Sequence, residues 1–216
     1  MTISKSEYSP SSDDTLRTAL APFGVTPSPA LCKQVRIYLR ILMQWTEKIS
    51  LTSILEPREI LGRHFGESLF AAAAVPIEHG RLADVGSGAG FPGLPLKLIR
   101  PELDVTLIEP SLKKSAFLSE VVRALELANV TVLRNSFADS RIKPASLPFI
   151  TSRALDPSKG LLPWANRTLA SKGRLILWTA KDTAQEICSD VDWNWLEPIP
   201  IPQSKQRVLL VGQPVK

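Results

Sequence analysis

Between positions 28 and 46, apolar residues recur at intervals of three and four: Leu31, Val35, Tyr38, Leu39, Leu42 and Met43. That period sets them on one face of a helix, and Pro29 suits its first turn. A loop over 50–57 comes next, then two shorter helical stretches, the second from about His64 to Ala74. Residues 15–80 therefore read as a helical extension, preceded by a polar, flexible tail over 1–14. At Arg81 the period changes. Short apolar runs at 82–85, 104–108, 130–133, 148–151 and 174–178 predict strands. Helical patterns lie between them, ending at Arg100 before Pro101, then over 113–125, from about Lys159 to Leu169, and over 183–191.

Strands that alternate with helices predict an α/β fold, a parallel sheet covered on both faces with right-handed crossovers. Two closing runs, 196–201 and 207–211, are separated by a short polar turn and are expected to form a hairpin, which puts an antiparallel strand into the sheet. Pro198, Pro200 and Pro202 cannot donate ladder hydrogen bonds, so the first of these runs belongs at an edge. The domain over 81–216 is thus a Rossmann-like unit behind the helical extension.

Composition narrows the class. The 216 residues are 44% hydrophobic and 22% charged, which excludes a wholly disordered chain. The longest apolar stretch, 69–77, contains Pro76 and is too short to span a bilayer, so no membrane partner is expected. The polar start, 1–12, has no apolar stretch of a secretion signal, and a cytoplasmic setting is expected. Two cysteines, Cys32 and Cys188, and two histidines stand in no metal-ligand spacing, so no metal is expected and both thiols read as buried small apolar groups. A net charge of +5 permits a polyanionic partner without demanding one, and a monomer is expected.

The candidate chemistry begins after the first strand, at Asp84-Val-Gly86-Ser87-Gly88-Ala-Gly90-Phe91-Pro-Gly93. Glycines there let backbone approach a ligand closely, at the strand ends where open α/β sheets bind nucleotides. Glu109 closes the second strand, where a carboxylate accepts hydrogen bonds from ribose hydroxyls. Gly88, Gly90 and Gly93 also satisfy the dinucleotide spelling G-x-G-x-x-G. Asp84, however, would repel a pyrophosphate, while it can hold loop amides or, through water, a cationic amino-acid moiety. With a terminal hairpin in place of a second nucleotide-binding half, S-adenosylmethionine is the favoured cofactor.

Further segments carry a family resemblance: Ser50-Leu-Thr-Ser53, Arg63-His64-Phe-Gly-Glu67-Ser68, the run from Asp84 to Glu102, Lys113-Lys114-Ser-Ala-Phe117-Leu118 and Ser152-Arg153-Ala154. In this order they resemble the bacterial small-subunit ribosomal RNA methyltransferases of the RsmG family, also called glucose-inhibited division protein B. The resemblance runs from about Leu31 to the C-terminus. It implies a seven-stranded class I methyltransferase sheet with an N-terminal helical extension, methylation of guanine N7 at one position in 16S rRNA, S-adenosylmethionine as donor, and the small subunit or its assembly intermediate as partner. Carried over by motif, Gly86 and Phe91 would line the cofactor pocket and Arg153 would lie at its mouth. The stretch after the third strand, where the family contacts the adenine, reads Asn135-Ser136-Phe137-Ala138-Asp139 rather than Arg-x-Glu, which makes Ser136 and Phe137 the adenine candidates. Ser50, Glu67 and Ala180-Lys181-Asp182 depart from the family's usual Asn, Asp and Leu-Lys-Gly.

Guanine N7 carries a lone pair and no proton, so attack on a sulfonium methyl needs alignment rather than a general base. The fourth strand accordingly lacks the Asn-Pro-Pro-aromatic run of amine methylation and the cysteine of carbon methylation, and reads Ser152-Arg153 instead. Arg153 is the candidate catalytic residue, by positioning: its planar fork suits guanine, phosphate or the cofactor edge. Arg63, His64, Lys113, Lys114, Lys181 and Arg207 are RNA-binding candidates, with His64 expected in a binding or supporting role rather than in proton transfer. Trp193 and Trp195 suggest a small interaction patch. The modest charge predicts a shallow salt dependence of RNA binding. Three other readings stay open: a methyltransferase with another substrate, a nicotinamide-linked reductase, and an RNA-binding module without catalysis.

Overall fold

The computed structural model describes residues 12–153 and 160–215. Most of the expected tail, Ala154 and the expected helix start at Lys159 lie outside the described residues.

Helix α1, Asp13–Leu20, starts two residues inside the expected tail. The Ser12 hydroxyl accepts from the Thr15 amide at 3.2 Å, and Asp13 and Asp14 sit in the first turn, where acids oppose the helix dipole favourably. The long α2, Pro29–Thr46, is capped by Ser28 and buries the expected stripe, Leu31 to Met43. Helix α3, Pro57–Ile60, a π-helical turn, Leu61–Gly66, and α4, Glu67–Ala74, then follow one another without a break. Four-residue periodicity cannot reveal such a π turn, whose extra residue rotates the side chains beyond it.

The sheet comprises β1, Gly80–Val85; β2, Leu103–Ile108; β3, Val130–Leu133; β4, Leu147–Arg153; β5, Leu169–Ala180; β6, Trp193–Trp195; β7, Ile199–Pro200; and β8, Arg207–Pro214. The order is β3-β2-β1-β4-β5-β8-β6, with β7 also on β8. Pairs from β3 to β5 are parallel and those to β8 antiparallel, as expected. The outer hairpin arm, expected as one strand over 196–201, is two: β6 pairs Trp193 with Pro214, and β7 pairs Ile199 with Leu209. Prolines without amide protons interrupt the ladder between and beyond them, so eight strands occupy seven positions.

Helices α5, Gly93–Ile99, and α6, Leu112–Ala124, agree with the sequence pattern to within a residue or two. Helix α7, Leu161–Thr168, passes directly into β5, which begins five residues before the predicted 174. Helix α8, Lys181–Cys188, begins and ends earlier than predicted, and Val191 beyond it is 87% exposed. Cys188 in its last turn faces solvent, which corrects the expectation of two buried thiols; Cys32 in α2 is buried. Among the described residues, no helix is long and apolar enough to cross a membrane.

One core cluster joins residues of α1, α2, the π turn and α4 to α5, α6 and the side chains on one face of the sheet. The helical extension therefore packs on α5 and α6, touches β5 and β8 through Glu67, and reaches the glycine loop. A second cluster on the opposite face gathers α7, α8 and Trp193.

Candidate active site

The strand order reverses between β1 and β4, so a crevice opens at their carboxyl ends, the usual binding place of an open α/β sheet. Val85 is in register with Ser152, which makes Gly86 and Arg153 the next residues on the two lips. Gly86, Gly88 and Gly90 all have positive φ, and Gly86 and Gly88 are partly exposed. The loop is held from below by two carboxylates. Asp84 is fully buried, accepting from Thr151 Oγ1 at 2.8 Å and from the Gly93 amide at 3.2 Å. Burial pushes its pKa up from 3.8 to about 6, against the pull of those hydrogen bonds. Glu109 at the end of β2 accepts from the Gly88 and Ser111 amides, each at 2.9 Å, tying the glycine loop to the start of α6. Ser87 donates to the Asp84 carbonyl at 2.8 Å and is buried. Of the two roles open to Asp84, the geometry realises the amide-holding one.

Phe91 is 6% exposed and sits in an aromatic stack rather than at an open pocket wall. Tyr38 of α2 lies parallel to it at 5.3 Å and His64 of the π turn at 4.8 Å, while Phe65 meets it edge-on at 5.1 Å. The Tyr38 hydroxyl donates to the Ala89 carbonyl. Two motifs far apart in the chain thus meet on the glycine loop. His64 Nε2 bonds Thr52 Oγ1 at 2.7 Å, and the Ser68 hydroxyl donates to the His64 carbonyl at 2.6 Å. Burial, then Arg153, Arg63 and Arg207, lower the His64 pKa to about 3, so its imidazole is neutral and supports the loop. Gly66 is required because a side chain there would strike the Phe23 ring.

Glu67 opens α4 at 1% exposure and receives two guanidinium groups. Arg153 Nη2 lies 3.4 Å from its Oε2, and Arg207 Nη2 donates to its Oε1. The Trp178 indole also donates to the Glu67 carbonyl at 2.8 Å. Residues from the extension, β4, β5 and β8 therefore converge at the carboxyl edge of the sheet. Arg153 is largely buried, which lowers its pKa, opposed by Glu67. Arg153 Nη1, Arg207 Nε and His64 Nδ1 are buried without a hydrogen-bond partner. Glu67 Oε2 is likewise without a hydrogen bond, so the centre has one carboxylate, two arginines and both donor and acceptor capacity unfilled.

The other candidates make contacts of their own. Ser136 and Phe137 follow β3; Ser136 donates to Asp139 at 2.7 Å, and Phe137 meets Trp164 edge-on at 5.6 Å. Exposed Lys113 and half-buried Lys114 are in the first turn of α6, beside Glu109. Lys181 begins α8, exposed, and its amide donates to the Gln206 carbonyl at 2.8 Å. Arg63 is exposed and paired with Glu59 at 3.2 Å. Trp193 and Trp195 stack on one another at 5.1 Å, with Trp193 buried, and Trp195 covers Gly212. Sequence reasoning missed Tyr38 and Thr52 as loop supports. A hydroxyl in the middle of an otherwise apolar helix face was the available signal for Tyr38.

Residues 31–197 match the sequence profile of GidB, rRNA small subunit methyltransferase G. The chain belongs to that family. A protein of Xanthomonas axonopodis pv. citri named ribosomal RNA small subunit methyltransferase G is 38% identical over 152 residues, 70% of each chain. One of the same name from Xylella fastidiosa strain 9a5c is 40% identical over 150 residues, 69% of each. Among solved structures, a SAM-dependent methyltransferase from Aquifex aeolicus superposes with TM-score 0.61 at 19% identity, covering 74% of this chain and 94% of its own. A ribosomal protein L11 methylase from Lactobacillus delbrueckii subsp. bulgaricus gives TM-score 0.60 at 15% identity, covering 72% and 80%. These two share the class I methyltransferase fold.

Proposed function

We propose that this protein methylates guanine N7 in 16S rRNA, using S-adenosylmethionine, in the cytoplasm on the small ribosomal subunit or its assembly intermediate. The observation that carries the reading is the arrangement of the two crevice lips. A glycine loop with three positive-φ positions faces Arg153, which buried Glu67 holds in place. Membership of the family and the names of its relatives support the substrate class.

The crevice fits the cofactor chemically. Partly exposed Gly86 and Gly88 leave backbone accessible, and a Cβ on Gly88 would enter open space, with only the Gly86 carbonyl at 3.8 Å. Glu109 at the end of β2 stands where a ribose would be read, with a lone pair left on each oxygen after the two amide bonds. Gly86, Ser87, Gly88 and Gly90 would shape the floor, with Asp84 fixing it from beneath. Ser136 and Phe137 would border the adenine side, and Phe91 would act from behind the loop. When bound, the cofactor supplies a methyl group on a sulfonium.

The chain's own task is then alignment. N7 needs no deprotonation, and the histidine nearest the lips is neutral and packed, with no role as a base. Arg153, oriented by Glu67, holds the guanine or its phosphate, and Arg207 completes the positive edge. Positioning of this kind is worth up to about 7–11 kcal/mol of barrier. Lys113, Lys114 and Lys181, which follow the carboxyl ends of β2 and β5, would meet phosphates at the same edge.

The test is methylation of small-subunit RNA from cells lacking the gene, mapped by cleavage at 7-methylguanine, with calorimetric titration of S-adenosylhomocysteine alongside. A single new cleavage site is expected, and Arg153→Ala should lower kcat/KM for RNA. Absence of N7 cleavage with methyl transfer to another atom would overturn the assignment of the target. Absence of S-adenosylhomocysteine binding would overturn the cofactor.

A further inference from the structure

A cleft of about 770 Å³ opens between α1, the π turn and the turn 203–206 that leads into β8. That volume lies in the range of small-ligand pockets. The glycine loop contributes nothing to its walls, so the cleft is distinct from the crevice between β1 and β4. One side chain connects the two. Glu67 lines the cleft and also pairs with Arg153 at the lip. Arg207, the other partner of Glu67, lines it as well, and its Nε is buried without a partner.

The charges of the walls are unbalanced in one direction. Each acid in the lining is already engaged: Asp14 with Arg17, Glu59 with Arg63, and Glu67 with two arginines. Arg58 and Lys205, both exposed, have no ion-pair partner among the described residues. Thr15, Thr18, Gln203 and Gln206 add neutral donors and acceptors. Unpaired cations beside hydroxyls and amides suit a strand whose phosphates meet charge and whose unstacked bases and sugars meet polar edges.

We propose that this cleft receives the RNA nucleotide adjoining the target guanosine. Arg58 and Lys205 meet its phosphates, while α1 and the 203–206 turn flank its sugar and base. The strand passes from Arg153 over Glu67 into the cleft, which makes the first helix a wall of the substrate site. This rests on the RNA-methylating reading above and adds to it where the neighbouring residue of the RNA lies.

Two variants at exposed positions test it: Thr18→Trp, which fills the cleft, and the double variant Arg58→Ser with Lys205→Ser. Both are assayed for KM and kcat on small-subunit RNA, for S-adenosylhomocysteine affinity, and for melting temperature. Each is expected to raise KM for RNA by roughly tenfold or more, tenfold being the scale of a single charge-assisted hydrogen bond, with kcat and S-adenosylhomocysteine affinity retained. The double variant should also flatten the slope of log affinity against log salt by about 1.4, from two lost single-strand phosphate contacts. An RNA KM unmoved in Thr18→Trp, or a salt slope unmoved in the double variant, would overturn the cleft assignment while leaving the methylation reading standing. Wild-type protein that binds S-adenosylhomocysteine but methylates no small-subunit RNA would remove both.

Discussion

Glu67→Gln removes one negative charge from between two guanidinium groups while keeping nearly the same volume. Glu67 is 1% exposed, and its side chain is the ion partner of both Arg153 and Arg207. Removing one member of a buried ion pair costs about 3–5 kcal/mol, chiefly because the remaining charge is left desolvated and unpaired. Here two cations are left rather than one, but their side chains are 15% and 27% exposed, so water screens part of the penalty. The lower end, about 3 kcal/mol, is the expected loss. For a chain of this length it corresponds to a fall in melting temperature of about 6–12 °C. Thermal and urea unfolding of Glu67→Gln, Arg207→Met and the double variant provide the measurement. The double variant should be less destabilised than the sum of the two, since one unpaired charge disappears with the other change. A melting temperature within about 2 °C of wild type for Glu67→Gln would refute the reasoning, because it would mean the carboxylate is not the counter-ion of this centre.

Three further outcomes follow from the loop and its supports. Asp84 binds its proton more tightly folded than unfolded, so wild-type stability relative to Asp84→Asn is greatest below about pH 4 and declines as pH rises through about 6, by about 3 kcal/mol in total. Urea titrations across that range measure it, and a pH-independent difference would contradict the buried carboxyl. The His64 ring, held near pKa 3, should keep its neutral-imidazole NMR shifts down to pH 5, and a midpoint near 6.5 would show it solvated. Gly90→Ala imposes φ +84 on a residue with a Cβ and brings that atom to 2.6 Å from Leu94 Cδ1 and onto the Tyr38 hydroxyl. Strain plus overpacking should cost about 2–4 kcal/mol in chemical unfolding and weaken S-adenosylhomocysteine binding, so a neutral substitution would refute the packing described.

The alternating strands and helices of 81–216 were legible because each apolar run is short, and Gly or Pro punctuates several of its edges. The stripe of α2 was legible because six buried residues keep a helical spacing. The outer hairpin arm was legible as an edge but not as two strands, since the ladder breaks at prolines whose effect depends on where Arg207–Pro214 runs beside them. The early start of β5 was not legible because Ser171-Lys172-Gly173 looks like a turn, yet Gly173 packs against the Leu147 carbonyl, where a Cβ would come within 2.7 Å. For the site, Asp84, Glu109 and the glycines could be read from spacing. The joining of Thr52, His64 and Phe91, and of Glu67 with two arginines 86 and 140 positions away, is tertiary and has no local signature.

The stacked rings of Tyr38, Phe91 and His64 have a consequence for how this protein tolerates change. Trimming or loosening the first 80 residues should reach the proposed methyl-donor crevice, because Tyr38 and His64 from that stretch pack their rings on Phe91 of the glycine loop. An N-terminal lesion would therefore appear at the bench as weakened nucleoside affinity. The reverse also holds: a ligand that stiffens the loop should stiffen the helices packed on it, so occupancy at one end of the stack is felt at the other.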